Sequence, residues 1–167
     1  MLAIMAVVTW FLAAYFGLKL FLIWLRGGGG QPGRSHVRPS VILGHAAAAV
    51  AGLGLLVAYL IADGPTRLAW TTFALIITSS LLGATMYLPW YLRRRRGLKA
   101  RAARAAELVA AGGAPLPPRL PARPEPGATA DVLPVERRYP NRVVLAHGLL
   151  ADLTLYLVLL TALGVWS

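Results

Sequence analysis

Apolar residues in this chain fall into four long blocks separated by polar and basic stretches. The blocks are Leu2–Leu25, Val41–Ala62, Leu68–Leu92 and Val143–Trp166. A helix rises ~1.5 Å per residue and the hydrocarbon core is ~30 Å thick, so each block is long enough to span it. Within lipid the backbone finds no outside hydrogen-bond partner, so a spanning block without a barrel's strand pattern must be helical. The pattern therefore predicts an all-α integral membrane four-helix bundle. Its expected spans are 2–25, 41–62, 68–92 and 143–167, with residues 93–142 as a basic, Pro-rich loop. The first block carries no charge before Lys19, unlike a cleavable signal peptide, and is expected to stay as a helix.

Composition narrows the chemistry. Hydrophobic residues make up 57% of the chain and charged residues only 14%, which leaves no material for a separate soluble domain. There is no cysteine, which excludes disulfides, iron–sulfur clusters, thiolate metal sites and covalently attached c-type haem. His-Glu-x-x-His, a Walker loop, Gly-x-Ser-x-Gly and paired carboxylates are also missing, so hydrolase and ATPase readings have no support.

The net charge of +11 would suggest nucleic acid in a soluble protein, but its placement points to membrane topology. Arg26, Arg34 and Arg38 lie between the first two blocks. Arg93–Arg96, Lys99, Arg101, Arg104, Arg119, Arg123, Arg137, Arg138 and Arg142 lie between the last two. The short turn from Asp63 to Arg67 holds one basic residue. The positive-inside rule puts the two basic loops in the cytoplasm and both termini outside a plasma membrane. The Arg93–Arg96 run serves as a topology anchor or as a contact for anionic lipid headgroups or an acidic partner. Residues 97–111 are Ala-rich and should continue the third helix. Six prolines between 115 and 126 then predict disorder or a polyproline-like extension.

Two stretches look alike. The second block opens Arg38-Pro39-Ser40-Val41-Ile42-Leu43-Gly44-His45, and the fourth opens Tyr139-Pro140-Asn141-Arg142-Val143-Val144-Leu145-Ala146-His147. The preceding blocks end Trp24-Leu25-Arg26 and Trp90-Tyr91-Leu92-Arg93. This suggests a tandem repeat of two helical hairpins, related by an axis along the membrane normal. His45 and His147 would then sit about 9 and 10 Å into their helices, level with each other and facing the bundle centre.

Histidine within a membrane marks a pathway, a cofactor or an interhelical hydrogen bond. Two at one depth suit axial ligation of a non-covalent haem b. A bare metal, a quinone-type site and simple helix bridging are the alternatives. For haem, His45 and His147 would be the iron ligands and the small residues Gly44, Ala48 and Gly52 would line an apolar slot. Gly44-x-x-x-Ala48-x-x-x-Gly52 is also a helix-packing pattern. Lys19, Arg26, Arg38 and Arg142 are candidate partners for haem propionates. His36, in the Gly-rich loop, is expected to be solvated. Asp152 falls in the middle of the fourth block, where an acid costs roughly 2.5–3.5 kcal/mol on insertion scales. It is read as a structural group bonded to serine, with Ser79 at its depth, or as a proton-handling site.

On helix count, His45, His147 and the basic loops, the chain resembles small four-helix membrane b-type cytochromes of cytochrome b561-like architecture. That resemblance implies electron transfer, or service as an anchor subunit, with one haem near the cytoplasmic face and a quinone or a redox subunit as partner. Familiar members use four histidines for two haems, whereas this chain has one helical pair. The alternatives are a non-catalytic scaffold or accessory subunit of a larger membrane complex, or a small-molecule carrier. Homo- or hetero-oligomers fit any of these.

Overall fold

A computed structural model describes residues 1–112 and 134–165. The Pro-rich stretch, and with it the expected disorder or extension, lies outside the described residues. Four helices follow one another: α1 (Leu2–Arg26), α2 (Pro39–Ile61), α3 (Thr66–Ala110) and α4 (Asn141–Ala162). A 3₁₀ turn at Val135–Arg138 precedes α4. All four helices are long and apolar enough to cross a membrane. The helical core comprises Met1–Thr85 and the chain from Leu133 on, while Met86–Val132 is a second unit.

Local chemistry sets the helix ends. Pro39 occupies the first turn of α2, where its missing N–H costs nothing. At the α2–α3 turn Asp63 and Gly64 both adopt positive φ, 54° and 75°, and Gly64 N–H donates back to Tyr59 O at 2.9 Å. This closes α2 in a left-handed cap, a conformation that glycine takes at little cost and Asp tolerates. α3 does not stop at Leu92; it continues through the arginine run to Ala110. Pro89 lies inside it and leaves the Thr85 carbonyl without its helical donor.

Helix α1 packs antiparallel on α4, with the Thr9 and Thr154 hydroxyls 3.0 Å apart across the interface. It also packs on α2, where the Trp10 ring seats against Gly52. α2 in turn meets α3 through His45 and Ser79. This order leaves α2 and α4 as diagonal partners.

The repeat is written in the burial pattern. The buried residues of α1 and α3 pair as Ala3 with Ala69, Ala6 with Thr72, Trp10 with Ile76, and Ala13 with Ser79, a constant displacement of 66 residues. In α2 and α4, Ile42 pairs with Val144, Gly52 with Thr154 and Leu56 with Val158, a displacement of 102. His45 and His147 obey the second displacement. The second hairpin has 36 more residues between equivalent positions, the difference between the two displacements, and part of them continues α3. Each hairpin thus presents the same inward face. The main apolar cluster, with Trp10, Leu56, Ile76, Leu157 and Val158, fills the half of the bundle away from the basic loops. Outward positions are large and apolar, for example Phe11, Val50 and Leu149, as a lipid-facing surface requires.

Candidate functional site: a paired imidazole at the bundle centre

The two histidines meet on the basic-loop side of the main apolar cluster. Their ring centroids are 6.0 Å apart and their planes are inclined by 78°. Each ring is held from the neighbouring hairpin. His45 Nδ1 lies 2.8 Å from Ser79 O, and His147 Nδ1 lies 2.9 Å from Ala13 O. A carbonyl only accepts, so in both rings Nδ1 must carry the proton. In the neutral imidazole Nε2 then holds a free lone pair. The Ser79 hydroxyl donates to His45 O at 3.2 Å and strengthens the first of the two bridges.

The bridges obey the repeat, since Ala13 and Ser79 are equivalent positions. One turn further along, Gly17 and Gly83 are equivalent too, and each faces an imidazole. A Cβ on Gly17 would stand 2.9 Å from His147 Cε1, and one on Gly83 would stand 3.3 Å from His45 Cε1. The imidazoles are thus surrounded by Ala13, Gly17, Ser79 and Gly83, all small. Gly17→Ala is expected to displace its histidine and lower stability by about 1 kcal/mol or more, because overpacking of a tight contact costs about 1–3 kcal/mol. Gly83→Ala has more room and should cost less. Thermal unfolding of both variants in detergent checks the order.

Of the expected slot residues, Gly52 is taken up by Trp10, whose Cη2 would lie 2.7 Å from an added Cβ. Gly44 sits at ordinary contact distance from Leu82. Both serve helix packing, and Ala48 is half-buried on the same helix. Arg38 and Arg142 are exposed at the starts of α2 and α4 and form no ion pair among the described residues. Lys19 is exposed, and its ammonium lies 4.3 Å from the Tyr15 ring centroid, a cation–π contact along α1. His36 has an exposed side chain. Ser79 and Asp152 are not brought together: Ser79 is committed to His45, and Asp152 lies exposed on α4 with no side-chain hydrogen bond among the described residues.

A second polar cluster went unread in the sequence. Glu136 is buried, and one carboxylate oxygen accepts from the Ser35 hydroxyl and from the His36 N–H at 3.1 Å. Ser35 Oγ in turn accepts from Trp24 Nε1–H at 3.2 Å and from Val37 N–H at 3.0 Å. Val135 N–H donates to Arg34 O, and the Val135 side chain fills the notch left by Gly27. Together these contacts bolt the segment entering α4 to the α1–α2 loop. Burial, and secondarily the Glu136 carboxylate, pushes the nearby Tyr139 phenol well above its ordinary pKa of 10.

Fold and site define a four-helix membrane bundle with an inward-facing pair of Nδ1-bridged imidazoles. Compared with known proteins, the chain matches no family, no curated protein and no solved structure. Among the described residues no group of three or more His, Cys, Asp and Glu side chains gathers to hold a metal ion.

Proposed function

We propose that the chain binds one non-covalent haem b, with His45 and His147 as axial ligands. It would then act as an electron-transfer protein or as the membrane anchor of a redox complex. The observation that carries this reading is the imidazole pair itself. The two rings lie 6.0 Å apart by centroid, with Nδ1 of each committed to a carbonyl and Nε2 left as the nitrogen that could hold iron. A ligating histidine ordinarily donates its other ring N–H to a carbonyl or carboxylate, as both rings do here. Two imidazoles would complete the coordination of iron whose other four donors come from a porphyrin. The small residues Gly17 and Gly83 make room for the rings themselves. When bound, the haem would supply one-electron chemistry, with a quinone or a redox subunit as exchange partner. Arg38 and Arg142, with no ion pair among the described residues, are suitably charged for its propionates.

The test is a pyridine haemochrome assay on protein purified from haem-supplemented cells. A b-type spectrum at about one haem per chain is expected, and colourless protein would sink the proposal. The alternative is a non-catalytic scaffold or accessory subunit. It draws on the same geometry, since each imidazole already ties two helices together.

The basic-loop end would face the cytoplasm of a plasma membrane. A reporter after Ser167 should be active only outside the cytoplasm, and one near Pro121 only inside. Anionic lipid headgroups are the expected partner at that end. One exposed face of α3 brings Leu88, Pro89 and Leu92 together with Arg93 and Arg96, apolar residues beside two guanidinium groups. Arg94 stacks over Trp90, 5.6 Å from the ring centroid, as an interfacial anchor.

A further inference from the structure

Asp152 is the twelfth of the 22 residues of α4 and therefore lies near mid-span. It does not face the bundle. Measured around α4 from His147 it stands about 140° away, on the side of Leu145, Leu149 and Tyr156. Those three are 50%, 69% and 58% exposed. The repeat shows how unusual this is. The equivalent residue of α2 is Val50, 72% exposed and apolar, as a position facing lipid should be. The second hairpin has a carboxyl group where the first has a hydrocarbon.

Acids within a span almost always face a bundle interior or a partner, because lipid cannot hydrogen-bond them. Asp152 has no side-chain hydrogen bond among the described residues of its own chain. One turn earlier, Gly148 is exposed and a Cβ built on it would meet nothing within 4 Å, so another backbone can approach there.

We propose that this face of α4 is the contact between two copies of this chain, related by a twofold axis along the membrane normal. Asp152 of one copy bonds Asp152 of the other. The choice of a second copy rests on self-complementarity. Two copies insert with the same orientation, so their Asp152 carboxyls arrive at the same depth. A protonated carboxyl offers both a donor and an acceptor, and a pair sharing protons satisfies itself. Beyond Arg142 the sequence of α4 contains no Lys or Arg to pair with Asp152. A closed twofold contact also buries the same patch on both partners, as isologous dimers do. The inference does not depend on haem.

The chain has no cysteine, which makes the test direct. Leu149→Cys and Val50→Cys are made separately and oxidised in native membranes. Leu149→Cys should give a disulfide-linked dimer in several-fold excess over Val50→Cys, and equal yields would overturn the proposal. Single-molecule photobleaching in dilute liposomes then reads the dimerisation constant. Asp152→Leu should weaken it about tenfold, an interhelical hydrogen bond's worth. Asp152→Asn, which also pairs with itself, should retain it. An unchanged constant in Asp152→Leu overturns the proposal. So does a stable assembly in which a different protein takes the place of the second copy. Thermal unfolding checks that Asp152→Leu folds, which its lipid-facing position favours.

Discussion

Replacing either His45 or His147 with alanine is expected to abolish the low-spin b-type spectrum of the haem-loaded protein. The reason is geometric. Each ring would supply one axial nitrogen, and no third His, Cys, Asp or Glu side chain gathers with them among the described residues to replace a lost ligand. The two variants should not be equal in stability. His45 is bridged to α3 through the Ser79 carbonyl, and the Ser79 hydroxyl returns a bond to the same helix. Among the described residues His147 has a single bridge, to Ala13. An interhelical hydrogen bond in a membrane is worth roughly 0.6–2 kcal/mol. Removing the His45 ring should therefore cost the apoprotein no more than about 2 kcal/mol, with the Ser79 hydroxyl bond to the His45 carbonyl left in place. Removing the His147 ring leaves no direct replacement between α4 and α1 at that level. Reduced-minus-oxidised spectra and apoprotein unfolding measure the two effects separately. If both alanine variants retain a low-spin spectrum, these histidines are not the ligands.

The largest stability loss from a single substitution is expected at Trp24→Ala, about 3–5 kcal/mol. Trp24 is 4% exposed, and its indole fills the space beside Gly29 while its N–H donates to Ser35. Ser35 is also the hydroxyl that bonds Glu136. Losing the indole therefore opens a cavity and loosens the tie between the α1–α2 loop and the segment entering α4. Its repeat mate is the control. Trp90 lies outside the helical core, half-buried, with Arg94 stacked on its ring. Trp90→Ala should cost under about 1 kcal/mol, the range of a cation–π contact at an exposed site. Equal losses at both positions would show that the Glu136 cluster contributes little.

Those two tryptophans show what a repeat conveys and what it hides. Sequence similarity aligns them, and at the helix level the alignment is right: the buried residues of α1 recur in α3 at the same displacement. Yet one indole is locked into a polar cluster and the other carries a guanidinium. The difference comes from the chain that follows, a Gly-rich loop in one hairpin and an uninterrupted helix in the other.

The four helices were legible because apolar run length alone decides whether a segment can span hydrocarbon. The level placement of His45 and His147 was legible because helical rise converts residue number into depth. Continuation of α3 past Leu92 followed from the Ala-rich composition of residues 97–111, although the span boundary falls within the helix. Hydropathy marks where lipid ends and does not mark where hydrogen bonding ends.

What tertiary structure alone decided are the contacts between residues distant in sequence. Gly17 and Gly83 are unremarkable in an Ala/Gly-rich text until each is seen against an imidazole. The sequence set Ser79 at the depth of Asp152, but Ser79 turns inward to His45 at the level of the histidine pair, while Asp152 lies five residues past His147 and points outward, and run length carries no information on azimuth between different helices. Glu136 read as one charge in a basic loop, whereas its burial depends on Ser35 and His36, one hundred residues away along the chain. Run length, rise and composition are properties of a segment by itself, so one sequence suffices to read them. Which faces meet is a property of pairs of helices, and only the packed bundle determines it.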